Sequence, residues 1–146
     1  MAQKTPLLYE NVFSKSPEKA IAAAKKKSKI ECWLYNEART RLVEGETLYV
    51  GTKIQVNAAL YDVTDPARPT PLTGKTIKIY HRLNAGAWEV IFSGTPNAPE
   101  LAAHWYKVIY TLAQAGSHTF YAEFPGDAEY EGCQKAVRAF AKCTVC

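Results

Sequence analysis

The chain has 146 residues, of which 47% are hydrophobic and 22% are charged. This length and composition suit one globular domain with a substantial core. The net charge is +4, but much of it lies in the run KKKSK at residues 25–29, so bulk charge does not indicate a nucleic-acid binder. No run approaches the roughly 20 apolar residues of a membrane-spanning helix. We therefore expect no nucleic-acid partner and no membrane span.

The first 28 residues are predicted to form an arm followed by a short helix. Residues 1–13, MAQKTPLLYENVF, lack the long apolar run of a secretory signal, so we expect a protein made without one. In SPEKAIAAAKKK, Ser16 suits the N-cap, Pro17 suits the first helical position, and the final lysines suit the helix C-terminus. The predicted organisation is therefore residues 1–28 as arm and helix, and residues 29–146 as a second unit.

After residue 28 the hydrophobic pattern changes to a period of two, which is typical of strands. Seven such runs are separated by turn residues: KIECWLY, TKIQVNAALYD, KTIKIYHRL, WEVIFSG, HWYKVIYTL, SHTFYAEF and CQKAVRAFAKCTV. In the second run the alternation points four residues inward, Ile54, Val56, Ala58 and Leu60, and three outward, Lys53, Gln55 and Asn57. The short, regular spacing predicts an all-β sandwich or barrel of about seven strands.

Two segments, LTGKTIKIYHRLNAGAWEVI and LAQAGSHTFYAEFPGDAEYEG, resemble the bacterial and archaeal immunoglobulin-like domains. The shared pattern is G-x-x-x-x-x-A-x-F-x-G-D-x-x-Y, which this chain matches with Gly116, Ala122, Phe124, Gly126, Asp127 and Tyr130. The resemblance covers about residues 30–142 and implies an immunoglobulin-like antiparallel β-sandwich. It does not account for the first 28 residues or for the cysteine-bearing C-terminal tail, and it names no ligand.

The chain carries no sequence pattern of a catalytic site. A Gly-rich phosphate loop, G-x-S-x-G and H-E-x-x-H are all missing from the sequence. The histidines, His81, His104 and His118, fall in strand runs, and we interpret them as buried or edge residues rather than as ligands of one metal ion. We therefore predict a non-enzymatic protein with no catalytic residue and no cofactor.

A calcium site is a weaker alternative, based on two acidic loops. Asp62 and Asp65 follow the second run, and Asp127 and Glu129 precede the last run. In a sandwich of this topology the two loops can meet at one end, where carboxylate oxygens would converge. The competing interpretation is that turns commonly contain aspartate.

Aromatic side chains mark the candidate interface. Tyr80, Tyr121 and Phe140 are predicted to point outward from three strands that are neighbours in an immunoglobulin-like sheet. Trp33 or Tyr35 of the first strand would extend this surface. A large exposed aromatic patch usually marks an interface. Either a partner or the arm of the same chain covers this face, and both explanations stay open. The predicted interface residues are Trp33, Tyr35, Tyr80, Tyr121 and Phe140, with Leu7, Leu8 and Phe13 in the arm.

Cysteine positions suggest one disulfide. Cys32 lies near the start of the first strand and Cys133 at the start of the last, and in this fold these two strands can run side by side and parallel. A Cys32–Cys133 disulfide is therefore predicted, with separate buried thiols as the alternative. Cys143 and Cys146 would then pair locally or stay reduced.

An immunoglobulin-like domain with an N-terminal arm and no recognisable signal resembles the accessory proteins of viral capsids and tails, which decorate or cement a lattice. This resemblance implies a structural module that binds copies of itself or a larger particle, in a virion or another extracellular assembly. The alternative is a cell-surface adhesion or carbohydrate-binding immunoglobulin-like module.

Overall fold

The computed structural model describes residues 24–144. Within them, nine strands form: β1 (Ser28–Asn36), β2 (Thr47–Tyr49), β3 (Lys53–Asp62), β4 (Thr70–Pro71), β5 (Ile77–Leu83), β6 (Glu89–Gly94), β7 (Trp105–Thr111), β8 (Gly116–Phe124) and β9 (Cys133–Lys142). Each of the seven predicted runs overlaps one of the longer strands, whereas the short strands β2 and β4 have no counterpart among the predictions. The described part of the chain contains no helix able to cross a membrane.

The strands form two sheets. In the four-stranded sheet, β3 lies in the centre with β1 on one side and with β7 and the short β4 on the other. The five-stranded sheet has the order β2-β9-β8-β5-β6. Every pair is antiparallel except β2 with β9, which is parallel, so this sheet is mixed rather than purely antiparallel. The all-β prediction is confirmed for these residues, and the two sheets form a β-sandwich arrangement.

The core lies between the two sheets and follows the predicted alternation. Side chains from both sheets belong to one buried apolar cluster, which includes Ile30, Leu34, Val56, Leu60, Ile77, Ile79, Tyr106, Phe120, Ala122 and Phe124. Full burial of one such large side chain stabilises the fold by about 1.5–3 kcal/mol. The strands are therefore held by their inward faces, and the outward faces remain available for other contacts.

Gln55 and Asn57 lie on the face of β3 opposite the core, as predicted, but both are buried there. The rings of Trp33 and Trp105, from the strands on either side of β3, stack with centroids 4.8 Å apart. Asn57 is fully buried and its Oδ1 accepts a hydrogen bond of 3.0 Å from Arg39 Nε. A central strand can thus be covered on both faces, which a period-two pattern does not reveal.

Residues 24–27, the end of the predicted helix, are not helical. Lys26 instead forms an isolated parallel β-bridge with Tyr130, and its amide donates to the carbonyl of Glu129 at 2.9 Å. The rest of the predicted arm and helix, including Leu7, Leu8 and Phe13, lies outside the described residues.

The predicted Cys32–Cys133 disulfide is also wrong, because both cysteines are free. β1 and β9 belong to different sheets, and Cys133 Sγ lies 3.2 Å from Ser28 Oγ. The thiol of Cys133 therefore contacts the first strand at Ser28 and at the Ile30 backbone rather than at Cys32, which is a buried core thiol.

Candidate functional site

The outer side of the five-stranded sheet carries an aromatic face, defined by Tyr80, Trp88, Val90 and Tyr121. Tyr80 of β5 lies opposite Tyr121 of β8, and their rings stack with centroids 4.5 Å apart and planes at 19°. Val90 of β6 lies opposite Tyr80 on the other side. Because the neighbouring Ile79 is fully buried, alternation points these side chains away from the core. The structure thus brings the predicted Tyr80 and Tyr121 together.

Trp88 extends the face and is not among the predicted interface residues. Its ring meets Tyr121 edge-on, with centroids 4.8 Å apart, and the guanidinium carbon of Arg82 lies 4.5 Å from the Trp88 ring centroid. Trp88 is 39% exposed and Val90 is 51% exposed, so both present apolar surface to solvent. Their spacing of two residues in the run WEVIFSG is the sequence signal that indicates a shared face.

The aromatic face is flanked by cations. These cations alternate along their strands with inward-facing residues, and they are Lys78 and Arg82 of β5 and Arg138 of β9. Within residues 24–144 none of the three forms an ion pair. Arg82 Nε is buried and makes no hydrogen bond in that part of the chain. The one carboxylate in this row, Glu123 opposite Lys78, accepts a 3.3 Å hydrogen bond from the Tyr80 hydroxyl. Burial, with Glu123 as a second cause, raises the pKa of Tyr80, so its ring stays neutral.

An open groove of about 570 Å³ runs beside Trp88. Arg82, Trp88 and Tyr121 line one side, and Gln134 and Lys135 of β9 line the other. The groove therefore combines exposed ring surface with the cationic side chain of Arg82. This chemistry suits a ligand that presents both an apolar or planar group and carboxylates.

Phe140 points to the same side but does not join the aromatic face. It pairs with Ser117, whereas Tyr121 pairs with Ala136, four residues away along β9. Four strand residues span roughly 13 Å. Phe140 is half-buried and lies beside Thr47 of β2.

Trp33 and Tyr35 lie on the other sheet, so they cannot extend the aromatic face. Trp33 stacks on Trp105, and the guanidinium carbon of Arg39 lies 4.5 Å from the Tyr35 ring centroid and 5.1 Å from that of Trp105. The single predicted patch is therefore divided into two aromatic surfaces on opposite sides of the sandwich. The cause is that the first strand pairs with β3 rather than with β9.

The two acidic loops of the predicted calcium site do meet at one end of the sandwich. The hydroxyl of Tyr130, in the loop before β9, donates to Asp62 Oδ2 at 2.6 Å. This hydrogen bond is the main cause that lowers the pKa of Asp62 and raises the pKa of Tyr130 to about 12. The contact ties the loop after β3 to the loop before β9.

The remaining carboxylates of this group are engaged by the protein itself. Lys75 pairs with Asp127 at 2.7 Å and Lys26 pairs with Glu129 at 2.9 Å. Asp65 Oδ1 accepts from a backbone amide two residues later, as a turn aspartate does. Among residues 24–144 no group of three or more His, Cys, Asp or Glu side chains is arranged as metal ligands. The arrangement therefore favours the structural interpretation of these aspartates.

The three histidines do not form one group, because two lie on the five-stranded sheet and one lies beside the other sheet. His81 and His118 are 3% and 2% exposed and lie in contact on β5 and β8, while His104 lies beside Tyr61 of the other sheet, with ring centroids 5.1 Å apart. His81, His118 and Tyr110 line a cavity of about 340 Å³ near the β5–β6 turn. Burial lowers the pKa of His81 and of His104. The pairing of His81 with His118 was invisible in the sequence because 37 residues separate them.

Comparisons with known proteins yield no family. No protein-family model matches the chain, and no curated protein sequence does. Among solved structures, it is similar at 12% identity and a TM-score of 0.41 to the endo-β-1,4-mannanase from Thermotoga petrophila, over 77% of this chain and 20% of the mannanase. It is also similar at 13% identity and a TM-score of 0.44 to a candidate superoxide reductase from Thermotoga maritima, over 84% of this chain and 90% of that one. This chain spans about a fifth of the mannanase, and both likenesses are too distant to carry an argument about function.

Proposed function

We propose that residues 29–146 form an immunoglobulin-like domain that acts as a non-enzymatic interaction module. The strand order supports this assignment, because β1, β3 and β7 face a sheet of β9, β8, β5 and β6, as in an immunoglobulin-like sandwich. The first two strands, β1 and β2, lie in different sheets. This arrangement also agrees with an immunoglobulin-like sandwich. The interaction role rests on the aromatic face.

The single observation that carries the proposal is the exposed Trp88 packed between Tyr121 and Arg82. Aromatic and arginine side chains are the residues that most often dominate binding energy at protein interfaces. The unpaired cations around the face would repel the same face of a second copy. The partner surface is therefore one that offers carboxylates to Arg82 and an apolar pocket to Trp88.

We propose that this partner belongs to a larger particle, and that the chain is an accessory protein of the decoration or cement type on a viral capsid or tail. The module binds through the aromatic face, and the segment before residue 24 contacts a neighbouring subunit. The flat, open sheet surface suits a broad protein contact better than an enclosed small-molecule site.

The proposal is tested on purified virus particles from the source of the chain. We expect the chain to sediment with the particles at a fixed stoichiometry, and recombinant chain to rebind particles from which it has been stripped. W88A should weaken rebinding by about tenfold or more, as expected for an interface hot spot. Y49A is the matched control, because Tyr49 is an aromatic residue 52% exposed on β2, away from the face.

Two results would contradict the proposal in distinguishable ways. If the chain is missing from the particles, the accessory role is wrong. If W88A and Y49A rebind equally well, the chain binds through another surface.

The groove beside Trp88 favours a second candidate, a carbohydrate-binding module. An exposed tryptophan ring beside an open groove with hydrogen-bonding side chains can stack on a sugar ring. A glycan array tests this alternative: binding that W88A abolishes, with no cosedimentation on particles, would favour carbohydrate recognition.

A further inference from the structure

Four side chains beneath the aromatic face form a continuous hydrogen-bonded chain. His81 Nε2 lies 2.8 Å from His118 Nδ1, and His118 Nε2 lies 2.7 Å from the backbone oxygen of Gln114. On the other side, His81 Nδ1 lies 2.8 Å from Glu89 Oε2 and 3.0 Å from the Tyr110 hydroxyl. The chain runs from the backbone carbonyl of Gln114, before β8, to a carboxylate at the surface.

Counting protons along this chain defines its charge state. A carbonyl oxygen only accepts, so His118 Nε2 carries a proton that it donates to Gln114. Neutral His118 then accepts at Nδ1, and His81 must donate from Nε2. The carboxylate of Glu89 also accepts, so the third contact requires a proton on His81 Nδ1 as well. Three contacts need three protons, whereas two neutral imidazoles hold two. The complete chain therefore holds one proton more than two neutral imidazoles supply, and we assign it to His81, the ring in direct contact with the Glu89 carboxylate.

Tyr110 provides the alternative when the extra proton leaves. Its hydroxyl lies 3.0 Å from His81 Nδ1 and 3.2 Å from Glu89 Oε2, so its one proton can serve either atom. If His81 Nδ1 loses its proton, this nitrogen accepts a hydrogen bond from the Tyr110 hydroxyl. The Glu89 carboxylate then faces the lone pair of His81 Nδ1, and no proton lies between the two acceptors. The Glu89 side chain is 58% exposed and can turn into solvent.

We infer that the buried pair His81 and His118 forms a proton-binding site with Glu89 at its exposed end. Its occupancy decides whether the Glu89 side chain, and with it the start of β6, is held against His81 of β5. Glu89 follows Trp88 directly, so proton uptake fixes the hairpin that carries the most exposed ring of the aromatic face. This inference is independent of the proposed function, because it concerns the hairpin and no partner.

The surrounding charges set the pH range of uptake. The groups that face His81 are His118 from β8, Glu89 from β6 and Tyr110 from β7, and the neighbouring Arg82 lines the same cavity. Burial lowers the pKa of His81, His118 lowers it further, and Glu89 opposes both. Burial raises the pKa of Tyr110 to about 12, so Tyr110 remains a donor throughout. The proton is therefore taken up at a lower pH than by an ordinary histidine.

The test is a nitrogen-15 NMR titration of the full chain from about pH 8 to about pH 4.5, a range that brackets ordinary histidine titration. The imidazole nitrogens report protonation, and the indole N–H of Trp88, assigned with W88F, reports the hairpin. We expect His81 to gain its second proton below the usual histidine range, and the Trp88 signal to shift with the same midpoint. His118 should keep its Nε2–H tautomer above that midpoint.

Two variants separate the site from general acid effects. E89Q removes the charge that favours protonated His81, so the His81 midpoint should move to lower pH and the coupled Trp88 shift should disappear. E100Q is the matched control, since Glu100 is a carboxylate paired with Lys107 and has no contact to His81 or to the aromatic face, and it should leave both titrations unchanged. An equal His81 midpoint in wild type and E89Q, or a Trp88 signal that ignores proton uptake, would overturn the inference.

Discussion

Replacing Gly126 by alanine tests whether the turn between β8 and β9 depends on glycine for two separate reasons. Gly126 has φ +90°, a left-handed conformation that side chains rarely adopt. A Cβ atom built there would lie 2.8 Å from the backbone nitrogen of Gly132 and 3.0 Å from the carbonyl oxygen of Tyr130. Both neighbours are backbone atoms of the same loop, so no side chain can rotate away to make room.

The two effects have separable magnitudes. A left-handed conformation costs an L-residue about 1–2 kcal/mol, and forcing a methyl group into a packed site costs about 1–3 kcal/mol. We therefore expect G126A to lower the free energy of unfolding by about 2–5 kcal/mol. G45A is the matched control, because Gly45 has φ +76° but no atom within 4 Å of the added Cβ. It should cost only the conformational part, about 1–2 kcal/mol.

Equilibrium urea unfolding of both variants and of the wild type measures the difference, provided that the m-values agree. A larger loss for G126A than for G45A would support the steric argument. If the two variants lose the same stability, the loop moves to accept the methyl group and the reasoning from close backbone contact fails.

Three further predictions concern titratable groups. The ion pair with Lys75, together with hydrogen bonds from two backbone amides, lowers the pKa of Asp127 to about 2. The stability contributed by ionised Asp127 should therefore be lost only as the pH falls from the ordinary aspartate pKa toward about 2. K75M should raise the midpoint of the Asp127 titration measured by NMR. Burial raises the pKa of Cys32 to about 12 and raises that of Cys133 less. A thiol reagent should therefore modify Cys133 before Cys32 in the native protein, and the reverse order would refute the burial argument. Folding lowers the pKa of His81, so the unfolded chain binds the proton more tightly and the stability should fall as the pH drops through the ordinary histidine range. Urea unfolding at each pH should show a smaller fall for H81Q than for the wild type.

The sequence predicted what depends on local periodicity. Strand runs and inward residues such as Ile54 and Leu60 follow from alternation, since a strand must bury one face whatever its partner is. The burial of Gln55 and Asn57 could not be predicted, because their side of β3 is covered by Trp33 and Trp105 from the strands on either side.

The candidate site was harder to predict than the strands, because it depends on which strands pair, and local sequence does not specify the pairing. The neighbouring positions of Tyr80 and Tyr121 could be predicted from the fold resemblance. Trp33 was assigned to the wrong face because strand partners and sheet membership are set by contacts far apart in the chain. The register shift between Ile79 and Tyr80, a local irregularity of the β5–β6 pair, is likewise absent from the alternation pattern.

The parallel pairing of β2 with β9 determines how the domain bears mechanical load. Thr47–Tyr49 run alongside Phe140–Lys142, and the Val50 amide donates to the Lys142 carbonyl while the Phe140 amide donates to the Glu46 carbonyl. A pull on β2 toward its start and on β9 toward its end would slide the two strands past each other and strain these hydrogen bonds together. An antiparallel hairpin such as β8–β9, pulled at its open end, would instead break one hydrogen bond at a time. The β2–β9 pair therefore opposes a pull along the strands, provided that β1 stays attached to β3.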